Sequence, residues 1–250
     1  MKHIATLPAA LSAIALALAA GSANAQVVNG NFDGLSGWTT AGDASANSGT
    51  ALWLTTASHT FADDTDANLP DPGARNVSGI DPLPAGGGPG SLEAFVGVAP
   101  GAFDPDPAAF VTATEGSAAS QTFTAAAGSL LSFRWDMGTL DQRDDPTLAD
   151  VAFVVIDGQV ITLANDLQAT TPTTLGGNLA HTGWEDFSTT IAGAGPHTIS
   201  FGVVDVGDYD DTSTLSVTGV NVSVVPETST LALVAAGLAC LALQRRRRGA

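Results

Sequence analysis

The hydrophobic positions of this chain fall mostly into short runs that alternate with polar residues. From Ser129 to Met137, Leu131, Phe133, Trp135 and Met137 fall on one side, and Ser132, Arg134 and Asp136 on the other. That period of two predicts a strand with one buried face. His197 to Val204 alternates likewise through Ile199, Phe201 and Val203. Val151 to Ile156 is apolar throughout, which predicts a strand covered on both faces. Asp157-Gly158 follows, supplying the two positive-φ positions of a tight hairpin that returns through Gln159 to Leu163. In the last strand Leu215 and Val217 keep one phase while Val220, Val222 and Val224 keep the other. A bulge at Gly219 is the natural device for that slip.

Further strand candidates are Val27 to Phe32, Ala51 to Thr55, Leu92 to Val98, Phe110 to Thr114 and Ser120 to Thr124. No helical period is sustained anywhere in residues 26–225. The pattern predicts an all-β domain, a two-sheet β-sandwich of jelly-roll type. Residues 63–90 interrupt it: dense in Asp, Pro and Gly, they cannot bury much apolar surface and predict a long irregular loop. Trp135, flanked by apolar alternation, is expected in the core. Trp38, Trp53 and Trp184 sit beside polar or turn residues and are the candidates for half-exposed rings on which a sugar could stack.

The two ends differ from the body. Met1 to Ala25 carries an early lysine, an apolar stretch from Ile4 to Ala20 and Ala23-Asn24-Ala25, the pattern of a secretory signal peptide with an A-x-A cleavage site. At the other end Pro226-Glu227-Thr228 precedes the uncharged run Leu231 to Leu243 and then Arg245, Arg246, Arg247 and Arg248. Pro226 ends the strand pattern, and the arginines act as a membrane stop with the basic end on the cytoplasmic side. At 1.5 Å per residue the apolar run spans about 20 Å, short for a hydrocarbon core of about 30 Å.

This order of turn motif, short apolar helix and arginine cluster resembles the PEP-CTERM sorting signal. Thr228 stands where that family usually has a second proline. The resemblance implies an exported protein anchored transiently in the inner membrane of a Gram-negative envelope. An exosortase-type processing enzyme would then act near residues 226–228 and release the body to the cell surface or the extracellular space. Within the body, Val28-Asn29-Gly30-Asn31-Phe32-Asp33 with Gly37-Trp38 is similar to the opening strand of jelly-roll modules with a galactose-binding-like fold. Such modules often hold a structural calcium between first and last strands. Asp33 stands where they usually carry glutamate, and Thr218-Gly219 where an acidic residue is expected.

Charge narrows the partners. The whole chain carries −17, and 24 of its 25 acidic residues but only three of its eight basic ones lie in residues 26–225. Such a surface repels nucleic acid and attracts cations. Asp205, Asp208, Asp210 and Asp211 cluster beside a strand end and would repel one another without a cation, so they are candidate ligands for Ca2+, and the resemblance to galactose-binding-like modules implies Asp33 as a further one. Asp64-Thr65-Asp66-Ala67-Asn68 begins like an EF-hand loop but fails at Leu69 and Arg75. The one cysteine, Cys240, lies in the apolar tail, so no disulfide closes the body.

For catalysis the chain offers no G-x-S-x-G, H-E-x-x-H or P-loop pattern. His59, His181 and His197 lack partners at metal-ligand spacing. Glu93, Glu115 and Glu185 show no spacing that would pair them for glycoside hydrolysis. The expectation is a non-enzymatic envelope or matrix protein that binds an extracellular polysaccharide or calcium. The alternatives are an exported polysaccharide hydrolase and a purely structural matrix protein.

Overall fold

The computed structural model describes residues 26–47, 50–56, 90–105, 112–140, 148–172, 180–207 and 211–224, together with 236–238, 241, 244 and 245 in the tail. Two antiparallel sheets enclose one core. The first sheet has the order β1 (Thr39–Ala41), β4 (Ala113–Ala125), β11 (Gly195–Val206), β6 (Val151–Ile156), β7 (Gln159–Asn165). The second runs β2 (Asp43–Asn47), β3 (Ala51–Thr55), β12 (Ser213–Ser223), β5 (Leu130–Thr139). Beyond β5, β9 (Ala180–His181) and β10 (Glu185–Thr190) share its far edge, and β8 (Thr171–Pro172) pairs with β9. The expected all-β sandwich is the architecture found.

Alternation decides which side chains enter the core. Leu131, Phe133, Trp135 and Met137 of β5 face Ile199, Phe201 and Val203 of β11, all buried. The Phe133 and Phe201 rings meet edge to face at 4.8 Å, a geometry worth about 0.5–1.5 kcal/mol beyond the area it buries. The predicted hairpin is present, with Asp157 at φ 51 and Gly158 at φ 78. The phase slip in β12 is also present: pairing with β5 shifts between Thr218 and Asn221, where Gly219 has φ 66.

Strand β6 is covered on both faces, as its unbroken apolar run predicts. Ala152 and Val154 face the core, while Phe153 and Val155 join a second apolar cluster outside the first sheet. Leu92, Val96 and Phe103 cover that cluster, with Phe103 and Phe153 ring centroids 4.3 Å apart. Leu92 and Val96 belong to α1 (Leu92–Val96), which corrects the strand expected from Leu92 to Val98. Ser91 caps its first turn by accepting the Ala94 N–H, and Gly97 closes it at φ 77. Those two flanking residues, not the apolar run between them, select helix.

The opening segment also differs from expectation. Val27 to Phe32 forms no strand, and the isolated bridge to Thr124 is made by the preceding Gln26. Instead Asn29 closes a loop on itself: its Oδ1 accepts the Asp33 N–H, and its Nδ2 donates to the Gly34 and Ser36 carbonyls. The Gln121 side chain fastens both ends of the loop, through Val28 and Gly37. Gly30 lies directly under β12, where a Cβ would fall 2.0 Å from the Val220 carbonyl oxygen, so no other residue fits. Loop 63–90 lies outside the described residues apart from Gly90.

Candidate functional site

The outer face of the second sheet carries the best-formed candidate site. Its centre is β5, whose Arg134 and Asp136 point away from the core that Phe133, Trp135 and Met137 fill. Along the far edge of β5, His181 pairs with Gly138 and Glu185 with Trp135. Three residues on the edge, Thr182, Gly183 and Trp184, therefore span two on β5. This is a β-bulge, and Gly183 at φ 81 supplies its left-handed position. Thr182 secures it: its N–H donates to the Met137 carbonyl at 2.9 Å, and its hydroxyl accepts the Met137 N–H at 3.0 Å. The extra residue turns Trp184 outward, and its side chain is 42% exposed.

Polar groups surround that ring. The Arg134 guanidinium carbon lies 5.6 Å from the indole centroid, within cation–π range. Arg134 Nε also reaches Asp186 Oδ1 at 3.3 Å, an exposed pair of little energetic weight. Thr182 Oγ1 lies 3.2 Å from Asp136 Oδ1 and 3.0 Å from the Gly183 carbonyl, either of which can take its proton. His181 Nδ1 sits 3.3 Å from Asp136 Oδ2, close enough for charge pairing but not aligned as a hydrogen bond. An apolar ring beside fixed donors and acceptors is a binding arrangement, since sugars and similar ligands present both kinds of surface.

The residues expected from sequence fare unequally. Trp184 is the exposed ring anticipated. Trp53, on β3, is half-buried, with its indole nitrogen closed off and lacking a hydrogen-bond partner. Trp38 is a correction: it is 7% exposed, with its ring 5.0 Å from Phe32 and 5.7 Å from Phe201, so it belongs to the core and offers no stacking face. The closing of the Asn29 loop draws it inward. Trp135 is buried, as expected.

Of the acidic candidates, Asp205 is buried at the end of β11, and Asp211 is exposed with φ 64. Asp208 and Asp210 lie outside the described residues. Asp33 is not brought to Asp205 or Asp211. Its loop packs on Val220, seven residues along β12 from Ser213, about 23 Å at the usual rise. Near Asp205, Asp150 accepts the Val206 N–H and the Ser213 hydroxyl, and Asp43 accepts the Thr55 hydroxyl. Among the described residues no group of three or more His, Cys, Asp and Glu side chains could hold a metal ion.

Of the three glutamates considered for hydrolysis, Glu185 lies on a different sheet from Glu115. Glu93 is buried on α1, outside the first sheet; Glu115 is buried in β4; Glu185 is exposed on β10 of the second sheet. In the tail, Pro226, Glu227, Thr228 and Arg246 to Arg248 lie outside the described residues, and Arg245 is exposed and helical. Among the described residues no helix is long and apolar enough to cross a membrane. Sequence reasoning missed Arg134, Asp136, Thr182 and Asp186 as site residues. The Thr-Gly-Trp string was the available signal, because a glycine before an aromatic residue beside a strand marks a bulge.

Comparison with known proteins gives no family-model match and no match among curated proteins. Among solved structures the chain is similar to a family GH115 4-O-methyl-alpha-glucuronidase, BtGH115A, with specificity for decorated arabinogalactans. Identity is 16%, over 44% of this chain and 14% of that one, with a TM-score of 0.24, and a likeness of that size carries no argument.

Proposed function

We propose that this chain is an exported, non-enzymatic protein of a Gram-negative cell envelope or matrix that binds polysaccharide through the outer face of its second sheet. The supporting observation is Trp184, projected by the Thr182–Gly183 bulge with Arg134 against its ring and Asp136 and Thr182 beside it. A pyranose has an apolar C–H face for the indole and hydroxyls for the carboxylate and the guanidinium. The test is binding of the full-length protein to immobilised neutral polysaccharides. Trp184→Ala should weaken retention at least about tenfold with an unchanged thermal midpoint. Equal retention by wild type and variant would remove this face from consideration.

The same reading places the sandwich among jelly-roll modules and makes residues 1–25 a signal peptide. Residues 226–250 are a transient inner-membrane anchor cut by an exosortase-type enzyme near Pro226, Glu227 and Thr228. An intact mass that retains Arg245 to Arg248 after export would contradict the cut. Calcium belongs to this reading only at the β11–β12 turn, with Asp205, Asp208, Asp210 and Asp211, and without Asp33. A chelator that leaves thermal unfolding unchanged would dismiss it.

A further inference from the structure

Strand register aligns four residues across the outer face of the second sheet. Trp53 on β3 pairs with Ser216 on β12, and Ser216 pairs with Asp136 on β5. Across the last edge, Asp136 is faced by the bulge that carries Trp184. Each of these positions alternates with a core residue: Leu52 and Leu54 flank Trp53, Leu215 and Val217 flank Ser216, and Trp135 and Met137 flank Asp136. All four side chains therefore stand on the outer face in one row perpendicular to the strands. The two indoles stand three strand spacings apart, roughly 14 Å, and beyond Trp53 the row closes on the buried Ser45 of β2. A hydroxyl and a carboxylate, Ser216 and Asp136, lie between them. Because the Trp53 nitrogen is closed off from solvent, the part of that ring left to a ligand is apolar carbon.

The geometry points to an extended, uncharged glycan chain as the occupant, lying across the strands with one sugar on Trp184, another on Trp53 and hydroxyls of the intervening units on Asp136 and Ser216. This rests on the carbohydrate reading above and adds the form of the ligand. A single terminal sugar would use one indole and leave the second without a role. A polyanionic chain would meet the repulsion of a body that holds 24 acidic residues. Arg134, already engaged with Asp186 and the Trp184 ring, forms the rim of the row and does not provide a free anion site.

The test is calorimetric titration of the full chain with unbranched, neutral β-1,4-linked gluco-oligosaccharides of one to six units. Affinity should climb with length and gain about tenfold once a chain reaches both indoles. Trp53→Ala should remove that gain while leaving the shortest ligands unaffected, and Trp184→Ala should weaken every length. Should Trp53→Ala unfold, Ser216→Phe serves instead, because it obstructs the middle of the row from outside the core; it should weaken only the longer ligands. Affinity independent of length, or long-chain binding unchanged in Trp53→Ala and Ser216→Phe, overturns the extended-chain inference and leaves polysaccharide binding at Trp184 standing. No binding of any length by the wild type overturns both.

Discussion

On β6 the residues turned away from the core are Val151, Phe153 and Val155; on β5 they are Ser132, Arg134, Asp136 and the buried Gly138. The two strands contribute to the same sandwich and the same interior, yet their outer faces meet different ends. Apolar side chains outside the first sheet draw down α1 and Phe103, so Phe153 and Val204 are fully buried. Polar side chains outside the second sheet leave Trp184 at the surface. The difference teaches that the inner alternation determines the sandwich, while the outer alternation determines whether a sheet becomes a middle layer or keeps a polar outer face. Covering a face gains roughly 1.5–3 kcal/mol for each large side chain it buries. The outer face of the second sheet is open only in part: Thr55, Gly138 and Thr214 are buried, while Arg134 and Trp184 stay exposed.

The sharpest way to break this comparison is to truncate one aromatic on each face. Phe153→Ala removes a fully buried ring packed on Phe103 and should destabilise by about 3–5 kcal/mol. Trp184→Ala should stay within about 0.5 kcal/mol, the range of surface substitutions. Urea unfolding of both variants measures the contrast. Similar losses at the two sites would mean that the second sheet is covered as thoroughly as the first.

A subtler pair of substitutions concerns glycine. Gly202 on β11 lies beneath the Phe153 ring, and an added Cβ would come within 2.2 Å of Cζ. Gly202→Ala must displace that ring and should cost about 1–3 kcal/mol by overpacking. Gly183 has nothing within 4 Å of an added Cβ and requires only its positive φ. Gly183→Ala should cost about 1 kcal/mol, with weaker glycan binding because the bulge is what aims Trp184. If Gly183→Ala lost stability but no binding, the bulge would be a turn device without a role in presenting the ring.

Sequence carried the covered sheet better than the open face. Val151 to Ile156 could be recognised as doubly buried because an unbroken apolar run has no polar side to give to water. The helix that covers it was hidden: five apolar-rich residues from Leu92 to Val96 fit a strand as well as a helix, and only Ser91 and Gly97 distinguish them. Strand β2, Asp43–Asn47, lacks the β-branched and aromatic signal, and β1, Thr39–Ala41, has two β-branched threonines but is only three residues long, too short for a period to show. The proposed row was illegible for a different reason. Trp53, Ser216, Asp136 and Trp184 are far apart in sequence, and register alone assembles them. Trp38 was misjudged because nearby polar residues suggested exposure, whereas Asn29 and Gln121 spend those polar groups on closing the loop and leave the ring inward.

The smallest effect belongs at the rim of the covered face, where the β6–β7 turn abuts the end of α1, with a Cβ on Gly158 falling 3.4 Å from the Gly97 carbonyl oxygen. There Asp157 Oδ2 lies 2.7 Å from His197 Nδ1, and Asp157 Oδ1 accepts the Thr198 N–H at 2.9 Å. Burial is the largest influence on this carboxyl and works against its charge. The hydrogen bond with His197, the Thr198 amide and the His197 charge together outweigh it, holding Asp157 below its ordinary value. A carboxyl depressed in the folded state contributes stability that is complete above its unfolded value, near 3.9, and is lost as pH falls through the lower folded value. Because the side chain is 47% exposed, solvent screens most of the effect. Wild type should therefore hold a slight stability advantage over Asp157→Asn at pH 6 that fades toward pH 2. Urea midpoints measured across that range would show it. A difference that stays constant with pH would mean that the turn geometry, and not the carboxylate's charge, is what this corner of the covered face relies on.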